Sequence, residues 1–217
     1  MNARKALDLL NTNRIDILKQ LLEEELYEET LKKKPDVKKR YKAMKKYFGY
    51  VNQTRECLQK PCLVEFEGKQ YTSFTNSWSL ILTNEDTGEI ELFDKEKGNY
   101  PNVARLLRFD GLKKKIDFNK VLAEAKSKGY RLSKGEVNYN FKYLMLYDGT
   151  YYKMGLIDIS YSIIDNGEPA LTYHPDGVRM PLTIQNDLGL CIIMPVKFEE
   201  DPDETEYTII HAEDVID

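Results

Sequence analysis

The stretch from Leu182 to Val196 constrains this chain more than any other. Leu182 and Ile184 alternate with Thr183 and Gln185, which is the period of a strand with one buried face. Asn186-Asp187-Leu188-Gly189 is turn chemistry, since Asn, Asp and Gly tolerate tight or left-handed backbone. Leu190 to Val196 is then an almost unbroken apolar run, short for a helix and rich in β-branched side chains. It reads as a hairpin whose second strand is buried on both faces. Pro181 and Pro195 sit near its ends, where a missing N–H costs least.

The surrounding chain is helical first and β-rich afterwards. Ala3 to Leu10 reads as a short amphipathic helix. A second helix follows, capped at Thr12 or Asn13, with Ile17, Leu18, Leu21, Leu22 and Leu26 at helical spacing, and Pro35 ends it. From Asp36 a third helix carries Val37, Tyr41, Met44, Phe48 and Val51 on one stripe. From Pro61 the period changes to two. Leu63–Glu67, Tyr71–Phe74, Leu80–Thr83 and Glu89–Phe93 form an expected β-meander. Lys113 to Phe118 reads as a strand leading into a helix that Asp117 or Asn119 caps and Gly129 ends. Phe141–Tyr147, Tyr151–Ile164 and Ala170–Tyr173 are read as β, separated by turns at Asp148-Gly149 and Asp165-Asn166-Gly167, and a turn at His174–Gly177 follows. Tyr207–Ile210 is strand-like within an otherwise exposed tail. The expected class is α+β: N-terminal helices, then mostly antiparallel sheet with packed helices. Its expected divisions are 1–52, a helical segment; 53–198, a β-rich body; and 199–217, an acidic tail.

Charge is polarised. The net charge of −4 argues against a generic nucleic-acid binder, yet nine basic residues lie between Lys32 and Lys46 against Asp36 alone. Between Glu199 and Asp217 there are nine acids and no Lys or Arg. The basic helix has two readings. One is a solvated face, or a face turned to the acidic run Glu23–Glu29. The other is a phosphate-facing helix, since clustered Lys and Arg suit sequence-independent contact with a nucleic-acid backbone.

Catalytic signals are thin. His174 falls in a turn and His211 in the acidic tail, and no phosphate-cradling glycine loop, nucleophile elbow or paired zinc ligands occur. Cys57, Cys62 and Cys191 form no even disulfide framework. No metal or cofactor is expected, and the chain reads as a binder in place of an enzyme. A carboxylate-based metal-dependent nuclease stays open as an alternative. With no apolar signal core at Met1-Asn2-Ala3-Arg4-Lys5 and no membrane-length run, a cytoplasmic location is expected. Trp78, the only tryptophan, is read as a core or corner residue, with a binding surface as the alternative.

Several short stretches, in order, resemble the bacterial DNA sliding clamp, the β subunit of DNA polymerase III. They are Thr54-Arg55-Glu56-Cys57-Leu58 after a helix; Thr75-Asn76-Ser77-Trp78-Ser79-Leu80 ending a hairpin; Gly98-Asn99-Tyr100-Pro101-Asn102; Ile116-Asp117-Phe118-Asn119-Lys120-Val121-Leu122; and Ile192-Ile193-Met194-Pro195-Val196-Lys197. The resemblance implies sheets outside and helices inside, with lysines toward duplex DNA, bound without reading bases. Its candidates for that contact are Lys38, Lys39, Lys42, Lys45 and Lys46 on one helix and Lys120, Lys126 and Lys128 on the other. It also implies a groove for short linear peptides of DNA-processing proteins, with Thr75, Leu80, Ile192 and Met194 in the family's groove positions. Asn76-Ser77-Trp78-Ser79 replaces the family's Asp-Gly-His-Arg, which removes a polar groove wall. The chain has room for about half of the family's three modules, which puts ring closure in doubt; a homo-oligomer is among the partners considered. The readings carried forward are a clamp-like replication protein of phage or mobile-element type, and a protein–protein interaction module or inhibitor acting on a host complex without DNA.

Overall fold

The computed structural model describes residues 10–215 apart from 13, 33, 51–54, 86, 89, 108–111 and 175–179. The helix expected over Ala3–Leu10 and the turn at His174–Gly177 lie almost wholly outside the described residues. The chain is α+β. Helices α1 (Ile15–Lys32) and α2 (Pro35–Tyr50) precede strands β1 (Cys62–Phe66), β2 (Lys69–Thr75) and β3 (Ser79–Thr83). Strand β4 (Leu112–Ile116), helix α3 (Phe118–Ser127) and one turn of helix α4 (Lys134–Val137) follow. Then come β5 (Tyr143–Tyr147), β6 (Thr150–Lys153), α5 (Met154–Ile164), β7 (Ala170–His174), β8 (Leu182–Asn186), β9 (Gly189–Ile193) and β10 (Thr208–His211).

A seven-stranded antiparallel sheet runs in the order β1-β2-β3-β9-β8-β7-β4. The hairpin that dominates the sequence is β8–β9, and β9 is buried along its whole length between β3 and β8. At its turn Asn186 Oδ1 accepts from Leu188 N at 3.0 Å, and Gly189 has φ +155°. A Cβ at Gly189 would sit 2.0 Å from the Leu82 carbonyl oxygen, so only glycine lets β9 lie this close to β3.

Alternation along β3 and β9 splits the apolar side chains between two layers. Ile81, Cys191 and Ile193 face the main core together with α2, α3 and α5, whereas Leu80, Leu82, Leu190 and Ile192 face a smaller cluster closed by Phe93 and Val103. The expected strand at Glu89–Phe93 is absent: residues 90–93 form no strand, and Phe93 instead caps this second face, its N–H donating to the Pro61 carbonyl at 2.6 Å.

The largest departure from expectation is α5. Tyr151–Ile164 reads as β in the sequence, yet the strand stops at Lys153 and a helix begins at Met154. Every α5 residue except Ser162 is buried. Ile157-Asp158-Ile159-Ser160-Tyr161-Ser162-Ile163 alternates apolar and polar residues, the period of a strand, and its β-branched Ile residues favour a strand locally, so only burial between two sheets reveals the helix. The second sheet has the order β10-β5-β6, with β10 parallel to β5 and β5 antiparallel to β6. Gly155 permits the approach of α4 to α5, because a Cβ there would lie 2.5 Å from the Glu136 backbone.

The expected divisions share this core. Met44 and Tyr47 from α2 and Ile210 from β10 belong to the same cluster as α5. The acidic end is thus threaded into the body. Its Asp214 pairs with Lys114 at 2.8 Å, and Val215 N donates to the Lys115 carbonyl at 2.8 Å. Helix α1 is less embedded than its apolar spacing implies. Leu18 is buried and Tyr27 meets Tyr41 edge-on at 5.1 Å, but Ile17, Leu22 and Leu26 are exposed, since α1 packs along one line on α2. No described helix is long and apolar enough to cross a membrane.

Gly to Ala in a helix interior ordinarily stabilises by about 1 kcal/mol. At Gly155 the sign should reverse, with Gly155→Ala costing about 1 to 3 kcal/mol in urea unfolding through overpacking against α4. A stabilised variant would contradict this packing.

Candidate functional site

The four residues the resemblance assigns to a groove meet in one cleft. Thr75 ends β2, Leu80 is the second residue of β3, and Ile192 lies on β9, with Thr75 opposite Leu80 and Leu80 opposite Ile192 in the sheet register. Met194 follows β9, its N–H donating to the Trp78 carbonyl at 2.8 Å. Together with Ser77, Ser79, Arg105, Leu106 and Pro181 these residues line a cleft of about 230 Å³. Leu80 and Ile192 are its buried floor, and Met194 and Leu106 stand exposed at its rim.

The β2–β3 turn that shapes the rim is held from within. Asn76 is buried, and its Oδ1 accepts from Trp78 N at 2.9 Å, Ser79 N at 2.7 Å and Ser79 Oγ at 3.1 Å. Ser77 takes φ +70°, and Thr75 Oγ1 donates to the Ser79 carbonyl at 2.9 Å. The turn pushes Trp78 outward. It is 45% exposed in the turn between β2 and β3, so it is a corner residue outside the core.

Past Met194 a second, larger pocket of about 640 Å³ opens. Trp78, Tyr139, Phe141, Lys153, Leu156 and Phe198 line it along with residues 194–197. Lys153 is only 6% exposed, and its ammonium lies 4.6 Å from the Phe141 ring centroid, 5.2 Å from Trp78 and 5.8 Å from Tyr139. The Asn138 carbonyl accepts from Lys153 Nζ. Burial pulls the Lys153 pKa below the ordinary lysine value, and the ring faces offset part of the lost hydration. Sequence reading did not find this pocket, or the contributions of Arg105, Leu106 and Pro181 to the cleft. Trp78 as sole tryptophan was the one available signal.

The basic residues divide. Lys39 and Arg40 of α2 hold the C-terminal end of α5: Lys39 Nζ reaches Asp165 Oδ2 at 2.7 Å, and Arg40 Nη1 donates to the Asp165 carbonyl at 3.2 Å. Asn119 of α3 donates to Asp165 Oδ1 at 3.1 Å, so both basic helices meet at this carboxylate. Arg40 also pairs with Glu85 at 3.2 Å. Lys45 lies over the Tyr41 ring at 4.9 Å, Lys120 sits 3.7 Å from Asp117, and Lys128 pairs with Glu124 at 2.8 Å. Lys42, Lys46 and Lys126 are exposed, and Lys38 is half-buried. Asp117 is the cap of α3, accepting from Lys120 N at 3.1 Å.

Of the histidines, His211 is exposed at the end of β10, and the His174 side chain lies outside the described residues. Among the described residues no group of His, Cys, Asp and Glu is arranged to hold a metal ion. Cys62 and Cys191 are buried thiols, with burial raising the pKa of each. No protein-family model, curated protein or solved structure matches the chain.

Burial alone would raise the Asp165 pKa, but the Lys39 ammonium, the Gly167 N–H and the Asn119 amide outweigh it and hold the carboxyl below the ordinary aspartate value. A depressed folded-state pKa contributes stability above the unfolded value, lost as pH falls through the folded one. Asp165→Asn should therefore cost about 2 kcal/mol at neutral pH. In urea unfolding across pH, that difference should shrink below about pH 4. A difference that is constant with pH would show that the Asp165 charge has no part in holding α2 and α3 together.

Proposed function

We propose that the chain is a non-enzymatic, DNA-associated binding protein of the sliding-clamp type, a processivity-factor-like platform that touches duplex backbone through basic helices and docks partner peptides in a groove. The observation that carries the reading is the cleft. Thr75, Leu80, Ile192 and Met194 are spread over three strands and the segment after β9, and they line one apolar depression with a partly exposed rim. An apolar floor with adjustable Met and Leu side chains at its edge suits short peptides that anchor through aliphatic or aromatic residues.

The DNA half of the proposal rests on fewer residues than the sequence offers. Lys42 and Lys46 on α2 and Lys126 on α3 are exposed, on helices joined through Asp165, and exposed lysines attract phosphate without reading bases. The second reading, an interaction module or inhibitor that acts on a host complex without DNA, draws support from the lysines already engaged internally, Lys39 and Lys128 above all.

Two measurements test the proposal. Binding to a short duplex should ignore sequence and fall steeply with salt, and Lys42→Gln with Lys46→Gln should reduce the salt slope by about one per lysine. No duplex binding at low salt would favour the second reading. Separately, Met194→Ala and Leu106→Ala alter exposed rim positions and should weaken a linear sliding-clamp-binding peptide about tenfold while leaving the unfolding midpoint nearly unchanged. Unaltered affinity would move the peptide site elsewhere.

A further inference from the structure

The pocket around Lys153 is separate from the Leu80 cleft but shares Met194 with it. Met194 lines both, so the two recesses adjoin at this side chain. The lining of the second is unusual for an apolar recess. The walls are Trp78, Tyr139, Phe141 and Phe198, with Tyr139 77% exposed, and a nearly buried ammonium stands among them. The Asn138 carbonyl is the only hydrogen-bond partner of that ammonium among the described residues. The other charged residue lining the pocket is Lys197, and no carboxylate of the described residues lines it.

We propose that this pocket receives the side-chain carboxylate of an internal Asp or Glu in a linear partner peptide, with the residues beside it packed on Trp78 and Tyr139. Charge complementarity selects this occupant. A ligand cation would be drawn to the ring faces, but Lys153 already occupies them and repels a second positive charge. A wholly apolar occupant would cover the ammonium without a counter-charge and lose its residual hydration. A carboxylate supplies the counter-charge that the Asn138 carbonyl and the ring faces do not, through a charge-assisted hydrogen bond. The internal position follows from continuity, since the two recesses adjoin at Met194. The proposal thus rests on the reading of that cleft as a peptide groove.

Trp78 is the sole tryptophan, so its emission reports occupancy of the pocket directly. The probe is a set of end-blocked hexapeptides with one Leu and, two to four positions away, Glu, Gln or Lys, plus a Leu-only peptide ending in a free carboxylate. The 217-residue chain should bind a Glu peptide with a change in Trp78 emission, and the Gln analogue roughly tenfold more weakly. Lys153→Met keeps the volume and removes the charge, and in a variant with unchanged far-UV circular dichroism it should erase the Glu-over-Gln preference. Lys153→Arg should retain a preference. A merely structural lysine would not alter that ratio. Peptides that bind, and are weakened by Leu106→Ala, but show equal affinity for Glu and Gln overturn this proposal while leaving the groove standing. Equal or better binding of the free-carboxylate peptide overturns the internal position, and no binding by any member of the set overturns the pocket proposal and the groove together.

Discussion

Burial of α5 on every side is the constraint on which the rest of the structure depends. Its Leu and Ile side chains each contribute about 1.5 to 3 kcal/mol by leaving water, but only if apolar layers meet the helix all round. The seven-stranded sheet supplies one such layer, β5 and β6 another, and α2, α3 and α4 close the remainder. The helix ends are then fixed by polar contacts. At its C-terminal end the Ile164 carbonyl accepts from Asn186 Nδ2 at 2.6 Å, and the Asp165 carbonyl accepts from Arg40. Unpaired carbonyls at a helix terminus are thereby satisfied, with a cation placed where the helix dipole favours it.

This arrangement explains why the basic stretch cannot be read as a single surface. Arg40 is buried and Lys39, itself exposed, reaches Asp165 to hold the end of α5, while Lys42 and Lys46 remain outward on the same helix. One run of like charge therefore contains both a structural clasp and a solvated face. The same division applies to the sheet. Side chains of β3 and β9 that point toward α5 build the core, and their alternating neighbours Leu80 and Ile192 floor the cleft. Fold and candidate site are two faces of the same strands.

Much of the fold was legible in the sequence where local chemistry and tertiary context agree. The β8–β9 hairpin has alternation along β8, an unbroken apolar β9 and an Asn-Asp-Leu-Gly turn, and α3 has its Asp117 cap and its Gly129 end at φ +96°. Helix α5 was not legible because its Ile-rich segment has strand propensity, and position between two sheets decides otherwise. Nothing in periodicity brings Thr75 to Met194; the register of β2, β3 and β9 does so. The Lys153 pocket was invisible for a related reason. Trp78, Tyr139, Phe141 and Lys153 come from three separate stretches, and only the outward turn after β2 and the loop after α4 bring them together.

The account stands or falls on whether partner peptides enter at Met194. The six methionines offer a direct readout, because Met194 is exposed at the junction of the two pockets while Met44, Met145 and Met154 are buried in the core. Methyl NMR of the methionines during titration with a sliding-clamp-binding peptide should move the Met194 resonance progressively and leave those of Met44 and Met145 in place. Saturable peptide binding with an unmoved Met194 methyl would contradict the account.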